Sequence, residues 1–357
     1  MIDFVTEMQK LFGERFRQGE LMQKHTTWRV GGPADYFVET ATTEEFVQAL
    51  KIGKLHGIDV LVIGGGSNIL IGDKGVRGLV VKHTAREFEV LGDLHGTHQQ
   101  VSNYRRLVSE WEEHDSSDAR HISVHYHFFD ERNPNYKADS VFVYVSSGYT
   151  MGAFIEKMFQ LGITGLERFA RIPGTFGGWV YNNVHAHTQF IGEFVHMIDY
   201  VDERDYPHSV SWRAMEFMYN HSRFHGTRHA ILGGILRLYR GNVEEAREIY
   251  KDVLKQKLDK QPSNSAGSVF HNLTAEEAAK HDFESVSAGY VIDKVLDWKG
   301  KKRVGGAWIS EKNGNFIETD ESVKAADIVE LVQMIKNEFV NRFQIYLQEE
   351  FFRVGEF

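Results

Sequence analysis

Apolar and polar positions alternate between a helical and a strand period along the first eighty residues. Phe4, Met8, Leu11 and Phe12 recur at helical spacing and predict an amphipathic helix over 3–18. Residues 36–39, 58–63 and 78–82 are short β-branched or aromatic runs bounded by turn formers and read as strands. Between the first two, Thr42-x-x-Glu45 has the spacing of a capping box. It opens a helix with Phe46, Val47, Leu50 and Leu55 inward, stopped at Gly57. Residues 87–139 change character, being polar and histidine-rich, and read as an inserted hairpin or lid. Regular patterning then resumes with a strand at 141–145, a helix over 150–161 and strands at 195–202 and 229–240. A Glu- and Lys-rich helix spans 243–258, and strands are expected at 304–309 and 315–317. The stripe Ile328, Leu331, Val332, Ile335, Phe339, Phe343 predicts a long helix over 322–343 packed into a core, and 347–354 closes the chain as a strand. The pattern is α+β. A domain boundary is expected near residues 240–242, with 1–240 dividing into α/β subdomains at about 1–82 and 83–240, and 241–357 forming a C-terminal domain.

Composition narrows the chemistry. A chain of 357 residues can bury large cores, and 42% hydrophobic with 25% charged residues is ordinary for a globular protein. The net charge of −9 argues against non-specific nucleic-acid binding. The absence of cysteine excludes disulfides, thiolate zinc sites and cysteine nucleophiles. The first residues lack a basic and apolar leader, and no apolar run reaches the length of a membrane span, so a cytoplasmic protein is expected.

The candidate chemistry sits in glycine-bearing loops. The strand ending at Ile63 runs straight into Gly64-Gly65-Gly66-Ser67-Asn68. Residues without Cβ admit positive φ and close approach of a ligand to main chain, which suits a phosphate or pyrophosphate; a tight turn that binds nothing is the other reading. The loop is neither a dinucleotide fingerprint nor a Walker loop. A second unusual stretch, Ile172-Pro173-Gly174-Thr175-Phe176-Gly177-Gly178, offers backbone against which a flat aromatic cofactor could press, or is simply a complex loop. His121, His125 and His127 share one face of an alternating run, compatible with a metal or with an exposed polar face; no metal site is assigned.

Taken in order, Thr26-Thr27-x-Arg29-x-Gly31-Gly32-Pro33-Ala34-Asp35, Gly64-Gly65-Gly66-Ser67-Asn68-x-Leu70, Ile172-Pro173-Gly174-Thr175-x-Gly177-Gly178 and Ser265-Ala266-Gly267-Ser268-x-Phe270-x-Asn272 resemble the MurB family, the UDP-N-acetylenolpyruvoylglucosamine reductases or UDP-N-acetylmuramate dehydrogenases. Further matches are Gly305-Gly306-Ala307, Ser310-Glu311-Lys312 and Asn315-Phe316-Ile317. The resemblance runs from about 26 to 355 and excludes roughly 88–139. It implies an FAD-binding region of the vanillyl-alcohol-oxidase/PCMH type over 1–240 and a substrate-binding domain over 241–357. It also implies NADPH-dependent reduction of an enolpyruvyl UDP-sugar in peptidoglycan precursor synthesis, by a monomer. By that likeness Gly64 to Asn68 hold the FAD pyrophosphate, Ile172 to Gly178 line the flavin, and Arg29, Ile63, Ser147 and Gly148 also bind the cofactor. Ser268 matches the proton donor of the family and Glu350 its C-terminal glutamate, with Glu349 a rival. Tyr219, Lys260 and Asn272 resemble substrate ligands.

Two departures stand out. Where the family has an arginine that activates the substrate carboxylate, this chain has Asn220, with His221 or Arg223 as substitutes. The region after the flavin loop reads Asn182-Asn183-Val184-His185-Ala186-His187, so that His185 and His187 are candidates to contact flavin or substrate. A silent flavin- or nucleotide-sugar-binding module and a flavin oxidase of the same fold are the competing readings. Bound flavin without substrate-dependent NADPH consumption favours the module, and oxygen uptake with an alcohol selects the oxidase.

Overall fold

The first helix stops early, and a strand grows out of its end. Helix α1 (Phe4–Phe12) is capped by Asp3, which accepts from the Thr6 amide at 3.1 Å, and closes at Gly13 with φ 55°. Glycine tolerates that left-handed turn. The rest of the stretch expected as helix is instead strand β1 (Phe16–Leu21), antiparallel to β2 (Pro33–Thr40). The computed structural model describes residues 3–93, 139–186, 188–262 and 264–357. His121, His125, His127, His187 and most of the expected insertion lie outside them.

Helix α2 (Thr43–Leu55) starts where the capping box places it, with the Glu45 amide donating to Thr42 Oγ1 at 3.2 Å. Strand β3 (Val60–Ile63) follows and, beyond the glycine loop, the short β4 (Ile69–Ile71) and β5 (Val76–His83). The sheet order is β1-β2-β5-β3, with β3 parallel to β5.

The middle of the chain makes a second sheet. Its strands are β6 (Phe88–Asp93), β7 (Ser140–Ser146), β8 (Ile163–Thr164), β11 (Val195–Val201), β12 (Pro207–Ser211) and β13 (Ala230–Arg240), with the two-residue β9 (His185–Ala186) and β10 (Gln189–Phe190) paired apart from it. The order is β12-β11-β13-β7-β6, with β8 also on β13. Strand β13 is buried from Ala230 to Leu238, as a central strand covered on both faces must be. Strand β12 was not expected, because its polar Pro207-His208-Ser209-Val210-Ser211 is the edge of the sheet and carries no apolar stripe. Helices α3 (Met151–Gln160) and α4 (Phe176–Tyr181) contribute Phe154, Ile155, Met158 and Trp179 to the core beside Val141, Val143 and Val145.

His196 on β11 is 8% exposed, and its ring meets Phe142 edge-on at 4.9 Å. Burial, and then the nearby Arg237 charge, push its pKa down to about 4. An unfolded histidine titrates near 6.5, so this group contributes stability that is complete above that pH and is lost as pH falls towards 4. The shift corresponds to about 3 kcal/mol at most. Urea titrations between about pH 7 and 4 are expected to show a shallower loss of stability in His196→Gln than in the parent.

The remaining elements are α5 (Val243–Lys260), α6 (Ala275–Lys280), the small sheet β14 (Arg303–Val304), β15 (Ala307–Ile309) and β16 (Ile317–Thr319), the long α7 (Ala325–Phe343), and β17 (Phe352–Val354). The capping box at Thr274 and Glu277 forms in both directions. On α7, Ile328, Leu331, Val332, Ile335 and Phe339 are buried, as their spacing predicts. The terminal strand is shorter than expected because its partner is the three-residue β4, with which it runs parallel in the register Phe352↔Ile69, Val354↔Ile71.

Two compact units result. One comprises Met1–Thr40, Ala49–Lys82 and Asp252–Phe357; the other comprises Ala41–Gln48 and His83–Lys251. Most residues before 82, all but Ala41–Gln48, therefore group with the C-terminal segment rather than with 83–240. The physical reason is plain in the first unit: Trp28, 1% exposed, is buried with Leu70 among Phe270, Ile317 and the apolar face of α7. Among the described residues no helix is long and apolar enough to cross a membrane.

Candidate active site

In the first unit the glycine loop is clamped from beneath. The Thr27 amide donates to the Gly66 carbonyl at 3.1 Å, and Gly66 lies against the carbonyl of His25. A Cβ at Gly66 would fall 1.8 Å from that oxygen, and φ is +64°, so only glycine fits. Of the three glycines in the loop, only Gly66 takes positive φ. Gly65 is exposed and Gly64 and Ser67 are half-buried, which leaves the outer surface of the loop accessible. Thr27 Oγ1 is buried with no hydrogen-bond partner among the described residues, a donor of the kind an oxyanion would satisfy.

The strap that carries Thr27 is nailed down by Trp28. Its indole donates to Ile317 O at 2.9 Å, while Thr319 Oγ1 donates to its carbonyl at 2.9 Å. Thr26 Oγ1 donates to Val30 O at 2.8 Å, closing the turn on itself. Arg29, squeezed between these anchors, takes φ 56° and is exposed. Below the strap, buried His25 bridges Glu20 at 3.1 Å and Lys82 at 3.2 Å. The Lys82 ammonium can only donate, which makes Nδ1 the acceptor and leaves Nε2–H to donate to Glu20, and burial lowers the His25 pKa against the pull of Glu20. Sequence reasoning passed over this chain; its residues are far apart and share no motif.

The serine and glutamate motifs meet the same loop. The Val269 amide donates to Asn315 O at 2.8 Å, the Glu350 amide to Val269 O at 2.9 Å, and Asn68 Nδ2 to Glu350 O at 3.0 Å. The Phe352 amide returns to Asn68 O at 3.0 Å. One run of peptide hydrogen bonds thus crosses the residue after Ser268, then Glu350, and ends on the glycine loop. Ser268 is half-buried, one residue beyond Gly267 with φ +85°. Asn68, expected to hold a pyrophosphate, spends its side-chain amide on this strap.

Glu349 and Glu350 separate cleanly. Burial alone would raise the Glu349 pKa, but hydrogen bonds from Arg353 and Lys336, at 2.8 and 3.0 Å, outweigh it and hold the carboxylate below its usual range. Glu349 is an anchor to α7. Buried Ile345 and Leu347 alternate with exposed Tyr346 and Gln348, and Glu349 and Glu350 after them are both half-buried. Lys260 and Asn272 are both exposed in this unit. Three residues before Lys260, half-buried Lys257 has a pKa lowered by burial to about 8, a feature no motif signalled.

In the second unit two of the expected cofactor segments are stitched together. The Gly177 amide donates to Ser147 O and the Phe176 amide to Tyr149 O, each at 2.9 Å, and the Met151 amide donates to Gly174 O at 3.1 Å. A Cβ at Gly148 would lie 2.6 Å from the Ala85 amide, and one at Gly177 2.9 Å from Ser147 Cβ. At Gly178 a Cβ would meet only Thr175 Oγ1, at 3.9 Å, which leaves that stretch of backbone open. Trp179 Nε1 donates to Pro173 O at 2.9 Å and fixes the bend after Ile172.

The two residues expected as substitutes for the family arginine, His221 and Arg223, lie in the same unit. Met218 and His221 bridge each other around Tyr219-Asn220, and Asn220 takes φ 50°. Tyr219 is 41% exposed and packs on His185 at 5.0 Å. The Arg223 guanidinium turns away from this tip, donating to Ala214 O at 3.1 Å and lying over the Tyr200 ring at 5.6 Å. His221 Nδ1 is buried with no hydrogen-bond partner among the described residues.

Comparison with known proteins matches this framework along its length. Residues 256–354 fit the family described as UDP-N-acetylenolpyruvoylglucosamine reductase, C-terminal domain. The whole chain is 27% identical over 357 residues to the UDP-N-acetylenolpyruvoylglucosamine reductase of Clostridioides difficile, covering 99% of this chain and 98% of the relative. The chain is similar along its whole length to reductases of the MurB type. The reductase of Lachnoclostridium phytofermentans is also 27% identical, over 96% of this chain and 94% of its own. The fold is that of the MurB crystal structure from Thermus caldophilus, with a TM-score of 0.66 at 22% identity, covering 94% of this chain and 97% of that one. The family model takes in the C-terminal motifs, and the full-length relatives extend the similarity over the glycine loop.

Proposed function

We propose that this protein is an FAD-dependent reductase that uses NADPH to convert UDP-N-acetylglucosamine enolpyruvate to UDP-N-acetylmuramate, a cytoplasmic step in peptidoglycan precursor synthesis. The observation that carries it is the run of hydrogen bonds joining the residue after Ser268, Glu350 and the glycine loop within one unit.

The residues fit FAD. Ile63 to Asn68 contain no acidic side chain, present a glycine for which no other residue has room, and lie beside the unsatisfied Thr27 hydroxyl, the features a pyrophosphate needs. Ser147-Gly148 and Ile172 to Gly178 form the second glycine-lined surface, suited to a flat ring. FAD, when bound and reduced by NADPH, supplies the hydride that reaches the enolpyruvyl C3. Ser268 holds the proton that C2 takes up, and its hydroxyl is then reprotonated from solvent. Glu350 polarises the substrate from the neighbouring strap while Glu349 stays ion-paired. Lys260 and Asn272 are exposed to receive the diphosphate and sugar, and Tyr219 presents a ring at the hairpin tip.

The assay is direct. Purified protein should carry FAD that is released on denaturation, and NADPH consumption should depend on the enolpyruvyl UDP-sugar. Flavin without that dependence would defeat the proposal. For the role of the missing arginine, the engaged guanidinium of Arg223 favours His221. His221→Ala is expected to lower kcat by more than tenfold and Arg223→Ala by less than about threefold; the reverse order would return the role to Arg223.

A further inference from the structure

Given that reading of Ser268, we propose that Asn315 is a positioning residue for it, its side chain acting as a strand surrogate that fixes the backbone carrying the serine. Ser268 stands outside regular helix or sheet, so little else fixes its main chain. Asn315 supplies what is missing. Its Oδ1 accepts from the Phe270 amide at 3.0 Å, its Nδ2 donates to the Phe270 carbonyl at 2.8 Å, and its own carbonyl accepts from Val269 at 2.8 Å. An asparagine side chain offers a donor and an acceptor side by side as a peptide unit does, which aspartate cannot. Asn315 is 6% exposed, and Val269 and Phe270 are each 1% exposed, so every one of these groups is shielded from water.

Asn315 is itself held. Its amide donates to Asn313 Oδ1 at 2.9 Å, and Gly289 packs so closely that a Cβ there would lie 2.9 Å from Asn313 Oδ1 and 3.2 Å from Asn315 Cβ. The other side of the serine strand is bonded to Gln348 and Glu350. Ser268 is thus aimed by a three-layer stack of Asn315, residues 269–271 and residues 348–350. Removing the Asn315 side chain orphans two buried peptide groups of Phe270, which then rotate towards other partners and take the serine with them.

The test is a double-mutant cycle on the FAD-loaded enzyme, with the two half-reactions followed separately. Asn315→Ala is expected to slow substrate reduction by about 10- to 100-fold while flavin reduction by NADPH changes by less than about twofold. In a Ser268→Ala background the same change should alter the residual rate by less than about twofold, because the group it aims is already gone. Hydrogen exchange of the Phe270 amide should accelerate in Asn315→Ala. Asn315→Ser, which keeps a short hydroxyl able to make one of the two bonds and adds no charge, should give an intermediate loss and serves if the alanine variant does not fold. Equal losses in both half-reactions, or the same factor in both backgrounds, overturn the positioning role and leave the proposed function standing. A parent enzyme that does not consume NADPH with the enolpyruvyl UDP-sugar overturns both, and does so before any variant is made.

Discussion

Ser268→Ala should retain bound FAD and be reduced by NADPH within about twofold of the parent rate, yet reduce the enolpyruvyl UDP-sugar on the order of 10³-fold more slowly. The expectation rests on where the residue stands. Ser268 is half-buried at the head of a segment bonded on both sides, and its hydroxyl belongs to no packing cluster, so truncation removes a proton and little else. A general acid is typically worth 10² to 10⁴ in rate, and an effect in that range confined to one half-reaction marks a group that acts only after hydride transfer. Stopped-flow traces of the two half-reactions read it directly. Retention of substrate reduction within tenfold would assign the proton to another group.

Gly66→Ala is expected to be among the most costly single methyl additions in the first unit. Two effects combine: φ of +64° is strained for alanine by about 1 kcal/mol, and the new Cβ would fall 1.8 Å from the His25 carbonyl, far inside contact distance. Either the glycine loop or the strap carrying Thr27 must move, and both belong to the proposed pyrophosphate cradle. Gly57→Ala is the matched control, since Gly57 has φ +67° with nothing within 4 Å of an added Cβ. The control should lose only about 1 kcal/mol and keep its flavin. Gly66→Ala should lose at least about 3 kcal/mol, by the clash added to the strain, and purify largely without FAD. Thermal unfolding together with flavin absorbance of the purified proteins distinguishes them. Equal behaviour of the two variants would show that the close approach to His25 is unimportant.

Much of this architecture was legible in the chain itself, and the exceptions have physical causes. The long helix Ala325–Phe343 and both capping boxes follow from local periodicity and end chemistry, which tertiary context does not override here. The strand at Phe16–Leu21 was hidden because helical spacing ran on past Gly13, where a single left-handed residue ends the helix. Glu349 and Glu350 are indistinguishable as neighbours; only Lys336 on a distant helix and Arg353 tell which one is tied down. The bond from Asn68 to the C-terminal segment was hidden for a related reason. A side chain beside a glycine loop suggests a ligand contact, yet its amide bonds to Glu350, 282 residues away, and no local pattern records that. Asn315 stood in a matched motif with no function attached, and its meaning emerged only from the two bonds it makes to one peptide unit.

The parallel pairing of β4 with β17 sets the order in which the molecule can be assembled. During synthesis the second unit, drawn almost entirely from one continuous stretch, is complete once Lys251 has emerged and has all its strand partners to hand. The glycine loop must wait for residues 350–354 to emerge before Asn68 and Ile69 gain their neighbours, a closure of long loops that is inherently slow. Loading of a nucleotide cofactor on the nascent chain is therefore expected to be a late event, gated by the emergence of residues 350–354.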